Sequence, residues 1–119
     1  MKKTLVLGAS PNPTRFSYKA VKSLVRHGYE AVLIGNRKGQ ISWQDIIIGT
    51  PEIADLHTVT IYLNPKNQKE YYEYIISLKP QRLIFNPGSE NQELIQLAME
   101  NGIEVCVACT LIMLNSNNY

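Results

Sequence analysis

Two cysteines near the C-terminal end, Cys106 and Cys109, have the C-x-x-C spacing of a zinc or thiol-redox site. A structural zinc takes four ligands, and only His27 and His57 remain to complete the set. A thioredoxin-like pair would open a helix directly after an early strand, whereas these cysteines end a late apolar segment. They read as buried structural thiols, and no metal is expected. His27 closes a helical segment and His57 precedes a strand-like one, with no candidate nucleophile beside either in sequence. Both read as structural.

The loops are richer in chemistry. Gly8-Ala9-Ser10-Pro11-Asn12-Pro13, Gly35-Asn36-Arg37-Lys38, Asn64-Pro65-Lys66-Asn67 and Asn86-Pro87-Gly88-Ser89 each follow an apolar run. Small residues, proline and asparagine let a backbone approach a ligand and leave N–H groups free at helix starts, which suits a phosphate. The first loop has only Gly8 of the G-x-G-x-x-G dinucleotide spacing. After the second strand an NAD site would carry Asp or Glu for the ribose 2′-hydroxyl, but here Asn36, Arg37 and Lys38 stand. Cations in that place favour a phosphorylated ribose, either the 2′-phosphate of NADP or the 3′-phosphate of coenzyme A. Arg15 and Lys38 are candidate phosphate partners, and Tyr18 is a candidate to stack on the nucleotide.

The elements that must position these loops follow from periodicity. Thr4-Leu5-Val6-Leu7 and Ala31-Val32-Leu33-Ile34 read as buried strands, each closed by a glycine. Between them, residues 17–27 put Ala20, Val21, Leu24 and Val25 on one helical face, with Lys19, Lys22, Ser23 and Arg26 opposite and Gly28 as cap. Residues 58–63, 82–85 and 103–107 are further strands. Residues 69–78 form a helix stopped by Lys79-Pro80, and a later helix carries Leu94, Ile95, Ala98 and Met99 after a Ser89/Gln92 capping box. Residues 40–55 are the least regular part, and Gly49-Thr50-Pro51-Glu52 within them suggests a turn into a short helical piece. Residues 108–114 are a short helix or a covering strand, and 115–119 a polar tail. Strands alternating with helices predict an α/β fold, a small doubly wound, Rossmann-like parallel sheet of about five strands with helices on both faces. Its ligands bind at the C-terminal ends of the strands, where the winding reverses.

Val6-Leu7-Gly8-Ala9-Ser10-Pro11-Asn12-Pro13 with Arg15 and Tyr18, then Asn86-Pro87-Gly88-Ser89-Glu90-Asn91, Gly102-Ile103-Glu104-Val105 and Cys109, resemble the CoA-binding domain family. This is the Rossmann-like domain shared with the α subunit of succinyl-CoA synthetase, and it also occurs as small free-standing proteins. The resemblance runs from Lys3 to about Leu114. It implies coenzyme A or acyl-CoA as ligand, with Gly8, Ala9, Ser10 and Arg15 at the phosphate and nucleotide site. Ile34, Asn36 and Lys38 would form the next edge, Leu63, Asn64 and Pro65 the third loop, and Asn86, Pro87 and Gly88 the rim. The family usually has Asn-Pro after the second strand; here Arg37 follows Asn36 and adds a positive charge. The ligase relatives use a phosphorylated histidine from a separate domain, so the resemblance implies a non-catalytic CoA-holding protein.

At 119 residues, the chain reads as one domain over 1–119 with no room for a second catalytic unit. That ranks an NADP-binding oxidoreductase fragment or redox sensor second, and an interaction domain without ligand third. Twelve basic against ten acidic residues, without a run, argue against nucleic acid as a partner. No apolar stretch is long enough for a membrane span or a signal peptide, and two cysteines are too few for a disulfide framework, so a cytoplasmic setting is expected. Tyr71 and Tyr74, if both face outward, would offer a homodimer contact; otherwise the protein partner is unknown.

Overall fold

The structure is a computed structural model that describes residues 2–119. Five short apolar strands, β1 (Thr4–Leu7), β2 (Ala31–Ile34), β5 (Thr58–Ile61), β6 (Arg82–Phe85) and β7 (Glu104–Val107), run parallel in the order β2-β1-β5-β6-β7. The irregular segment adds two more. β3 (Gln40–Ile41) and β4 (Gln44–Ile47) form an antiparallel hairpin, and β4 joins the sheet parallel to β2, giving seven strands in the order β3-β4-β2-β1-β5-β6-β7. The hairpin was not expected: Ser42 and Trp43 both take positive φ and close a two-residue turn. The helical piece expected from Gly49-Thr50-Pro51-Glu52 does not form, and those residues are irregular.

From β1 the chain winds outward through β2 to β4, then returns to β5 on the other side of β1 and continues to β7. The reversal therefore lies between β1 and β5. Alternation along each strand builds two cores. Leu5, Leu7, Val59, Ile61, Leu83 and Phe85 face the helical segment made of α2 (Pro65–Gln68), a 3-10 turn (Lys69–Tyr71) and α3 (Tyr72–Leu78), together with α4 (Gln92–Glu100). Val6, Leu33 and Ile84 face the other way, onto Val21 and Leu24 of α1 (Phe16–Arg26) and Leu114 of α5 (Thr110–Asn115). None of these helices is long and apolar enough to cross a membrane.

Local details depart from expectation for identifiable reasons. Ser23, assigned to the polar face of α1, is fully buried, whereas Val25 is 36% exposed, so the buried face is rotated toward Ala20, Ser23 and Leu24. The cap of α4 is Asn91, whose Oδ1 accepts from the Glu93 and Leu94 N–H groups, while Ser89 Oγ donates to the Asn86 carbonyl. The polar tail ends in a buried aromatic. Tyr119 lies 5.0 Å from the Tyr29 ring, its hydroxyl bonds Thr4 Oγ1, and the Arg82 guanidinium stacks 4.5 Å from its ring centroid. Tyr74 is half-buried and donates to the Pro51 carbonyl.

Candidate functional site

A cleft of about 630 Å³ opens over the C-terminal ends of the strands, and β1, β2, β5, β6 and β7 all deliver residues to it. Gly8 and Ala9 follow β1, Gly35 to Arg37 follow β2, and Tyr62 and Leu63 follow β5; Asn86 and Pro87 follow β6, and Cys109 follows β7. The first two loops are locked together. The Gly8 and Ala9 N–H groups both donate to the Ile34 carbonyl at 2.9 Å, and a Cβ built on Gly35 would sit 2.2 Å from the Ala9 carbonyl oxygen. Only glycine permits that approach. Gly8 also has φ +98° and lies under Leu63, so the β1 loop turns sharply beneath the β5 loop.

These contacts change which groups are open to a ligand. The Gly8 and Ala9 amides, expected to face a phosphate, are spent on Ile34. The free donors lie one step further along. Arg15 stands at the N-cap of α1 with an extended backbone and no side-chain cap, and no acidic residue occupies the first turn. The first N–H groups of α1 thus lack a side-chain cap, as do those of α3 and α5, whereas α2 and α4 are capped. In α2 the Asn64 side chain accepts from Asn67 N–H, and in α4 Asn91 caps. Arg15, Phe16 and Ser17 line the cleft, as do Asn36 and Arg37 across from them. Two guanidinium groups and an open helix N-terminus form an anion-attracting corner.

Of the residues expected from sequence, the structure brings together Gly8, Ala9, Ser10, Arg15, Asn36, Leu63, Asn86 and Pro87. Ile34 is fully buried and acts through its carbonyl. Tyr18, Lys38, Asn64, Pro65 and Gly88 do not line the cleft. The Lys22 ammonium lies 6.0 Å from the Tyr18 ring, Asn64 is occupied as a cap, and the Gly88 N–H donates to Glu90 Oε1 at 2.8 Å. In place of Tyr18, Phe16 stands in the cleft wall with 67% of its surface exposed; in place of Lys38, Arg37 does.

Asn86 is framework. Its Nδ2 donates to Thr60 Oγ1 at 2.7 Å and to the Ile61 carbonyl at 2.9 Å, and its Oδ1 accepts from Thr110 N–H at 2.9 Å. The side chain is 2% exposed and ties β5, β6 and α5 into one floor. Thr60 and Thr110 hydroxyls meet at 2.7 Å beside it. The Tyr62 hydroxyl is buried without a hydrogen-bond partner, and burial first, then neighbouring Cys109, pushes its phenol far above the ordinary range. It stays protonated. Cys109 is half-buried at the start of α5 and faces the cleft, while Cys106 lies in β7, its thiol pushed up by burial and then by Glu104. The reading of both cysteines as buried thiols is corrected: each is only half-buried, and Cys109 reaches the cleft. His27 and His57 lie outside the cleft lining.

Comparison with known proteins agrees with this geometry. The family model described as a CoA binding domain matches residues 2–115. A crystal structure of an uncharacterised protein superposes with a TM-score of 0.98 at 49% identity, covering 100% of this chain and 98% of that one. A hypothetical protein from Pyrococcus horikoshii OT3 has a TM-score of 0.86 at 24% identity over 98% of this chain and 82% of its own. Cell-free ID.343 from Thermus thermophilus has a TM-score of 0.85 at 18% identity over 99% and 90%. These last two show the shared fold. No curated protein matches. With the family model spanning nearly every residue from Lys2 to Asn115, the chain belongs to the CoA-binding domain family.

Proposed function

We propose that the cleft holds coenzyme A or an acyl-CoA, and that the protein binds this ligand without transforming it. The carrying observation is the uncapped first turn of α1, opening between Arg15 and Arg37. The phosphates of the 3′-phospho-ADP part sit in that corner, where helix amides and guanidinium groups supply charge-assisted bonds. Phe16 packs on the adenine. The pantetheine crosses the ends of β5 and β6 toward Leu63, Pro87 and Cys109. The volume suits a bound small molecule.

The test is a thermal-shift panel of CoA, acetyl-CoA, dephospho-CoA, NADPH and NADH. A ligand present at 100 times its Kd stabilises by about 2.7 kcal/mol. The expected order places CoA and acetyl-CoA above dephospho-CoA. Because Arg37 would serve a 2′-phosphate equally, a shift with NADPH alone would replace the CoA reading by an NADP-binding oxidoreductase fragment or redox sensor. No shift with any nucleotide would leave an interaction domain without ligand.

A further inference from the structure

Beside α1, on a surface that meets the cleft only at Leu111, the β3–β4 turn holds Ser42 at φ 50° and Trp43 at φ 68°. Both positions of such a turn favour Asn, Asp or Gly, and a bulky residue there is strained. Yet Trp43 is 93% exposed and gives nothing to the core in return. Beside it runs a shallow groove between the turn and α1, with Val25 on its floor and Lys22 shared along its length. The groove continues past Lys19 and Arg26 to Leu111. No carboxylate lines it. Among the described residues the one ion pair is Lys3 with Glu30 at 3.6 Å, so Lys19, Lys22 and Arg26 have no acidic partner. A strained aromatic kept in water beside three unpaired cations is a surface built for contact.

Charge decides the occupant. Two copies meeting through this face about a two-fold axis would set the same cations against each other. We infer that the groove between α1 and the Ser42–Trp43 turn docks an acidic, amphipathic segment of another protein, anchored on the Trp43 indole and paired with Lys19, Lys22 and Arg26.

Trp43 is the single tryptophan, so its emission reports this surface alone. The probes are a panel of synthetic acidic amphipathic peptides with differently spaced apolar residues, and the same panel with every Glu replaced by Lys. Acidic members are expected to give a saturable blue shift that weakens with added salt, and the lysine panel none. The double reversal Lys22→Glu with Arg26→Glu should invert that preference and leave the CoA response unchanged, with at most a small drop in the thermal midpoint from the acid placed at the C-terminal turn of α1. Trp43→Gly should raise the midpoint by relieving the turn, while weakening a labelled acidic peptide at least tenfold by anisotropy. The inference is overturned if no acidic peptide shifts the emission, or if both panels bind alike. Tighter binding to phosphatidylserine vesicles or to a single-stranded oligonucleotide would also overturn it, as would concentration-dependent self-association lost in Trp43→Gly.

Discussion

Replacing Gly35 by alanine tests the claim that the two phosphate-side loops form one unit. The added Cβ would lie 2.2 Å from the Ala9 carbonyl oxygen and 3.0 Å from Ile46 Cγ2. Real Cβ contacts essentially never fall under 3.0 Å, so the Ala9 carbonyl must retreat by about the difference, 3.0 − 2.2 = 0.8 Å. The obstruction is backbone, which cannot swing aside as a side chain can. Retreat strains the paired Gly8 and Ala9 bonds to the Ile34 carbonyl and the 3.1 Å bond from Gly35 N–H to Ile47. Overpacking costs about 1–3 kcal/mol and each weakened bond up to about 1 kcal/mol, so the loss is about 2–4 kcal/mol. For a chain of this size that lowers the melting midpoint by about 10–15 °C. Calorimetric melting measures it, and titration with CoA well below the midpoint measures the site. Affinity should fall as well, because the loop carrying Asn36 and Arg37 moves against the one leading to Arg15. A midpoint within about 3 °C of the parent, with CoA affinity unchanged, would refute the argument that these loops are locked by contact.

Three further outcomes follow from the same geometry. Arg15→Ala or Arg37→Ala should each weaken CoA about ten- to a hundredfold by titration calorimetry, as loss of a charge-assisted phosphate bond would, whereas Lys38→Ala outside the cleft should change it little. Asn86→Ala strands the Thr110 N–H and takes one donor each from Thr60 Oγ1 and the Ile61 carbonyl, which keep a second partner, and should cost about 2–4 kcal/mol in urea unfolding, read from the midpoint at constant slope. His57 has its pKa lowered, by burial first and then by Arg82 and Lys2, so the unfolded chain takes up a proton at higher pH than the folded one. Stability should therefore rise with pH from below the folded value up to about 6.5 and level off above it. His57→Gln should flatten that part of the profile.

How much of this the sequence disclosed depends on whether the signal was periodic or steric. The apolar, β-branched strands and their order announce themselves, because a strand buried on both faces has few other compositions. The β3–β4 hairpin was hidden, since Ser42-Trp43 is a poor turn sequence and only the backbone shows both residues at positive φ. Tyr119 was hidden behind four polar residues, its burial arising from distant Tyr29, Thr4 and Arg82. At the site, residue types pointed to the right loops but not to the right atoms. Gly8 and Ala9 look like phosphate ligands until their amides are seen bonded to Ile34; Asn86 looks like a ligand contact until its three hydrogen bonds are counted.

The same distinction explains why Arg37, rather than Lys38, reaches the cleft. The β2 loop leaves Gly35 pressed on Ala9 and is held again where Gly39 lies against Pro11, whose Cβ would be 2.6 Å from an added Cβ. Between these two fixed points only Asn36, Arg37 and Lys38 remain, and the span puts Asn36 and Arg37 on the cleft side. Pro11 thus helps to choose the cation at the phosphate corner without touching it. Lengthening the side chain at position 39, as in Gly39→Ala, should disturb CoA affinity through Arg37 even though residue 39 lines no part of the cleft. In an Arg37→Ala background that additional loss should shrink, a coupling that a double-mutant cycle on CoA binding measures directly. Equal losses in both backgrounds would mean that the loop positions nothing at the phosphate, and that Arg37 finds its place by its own flexibility.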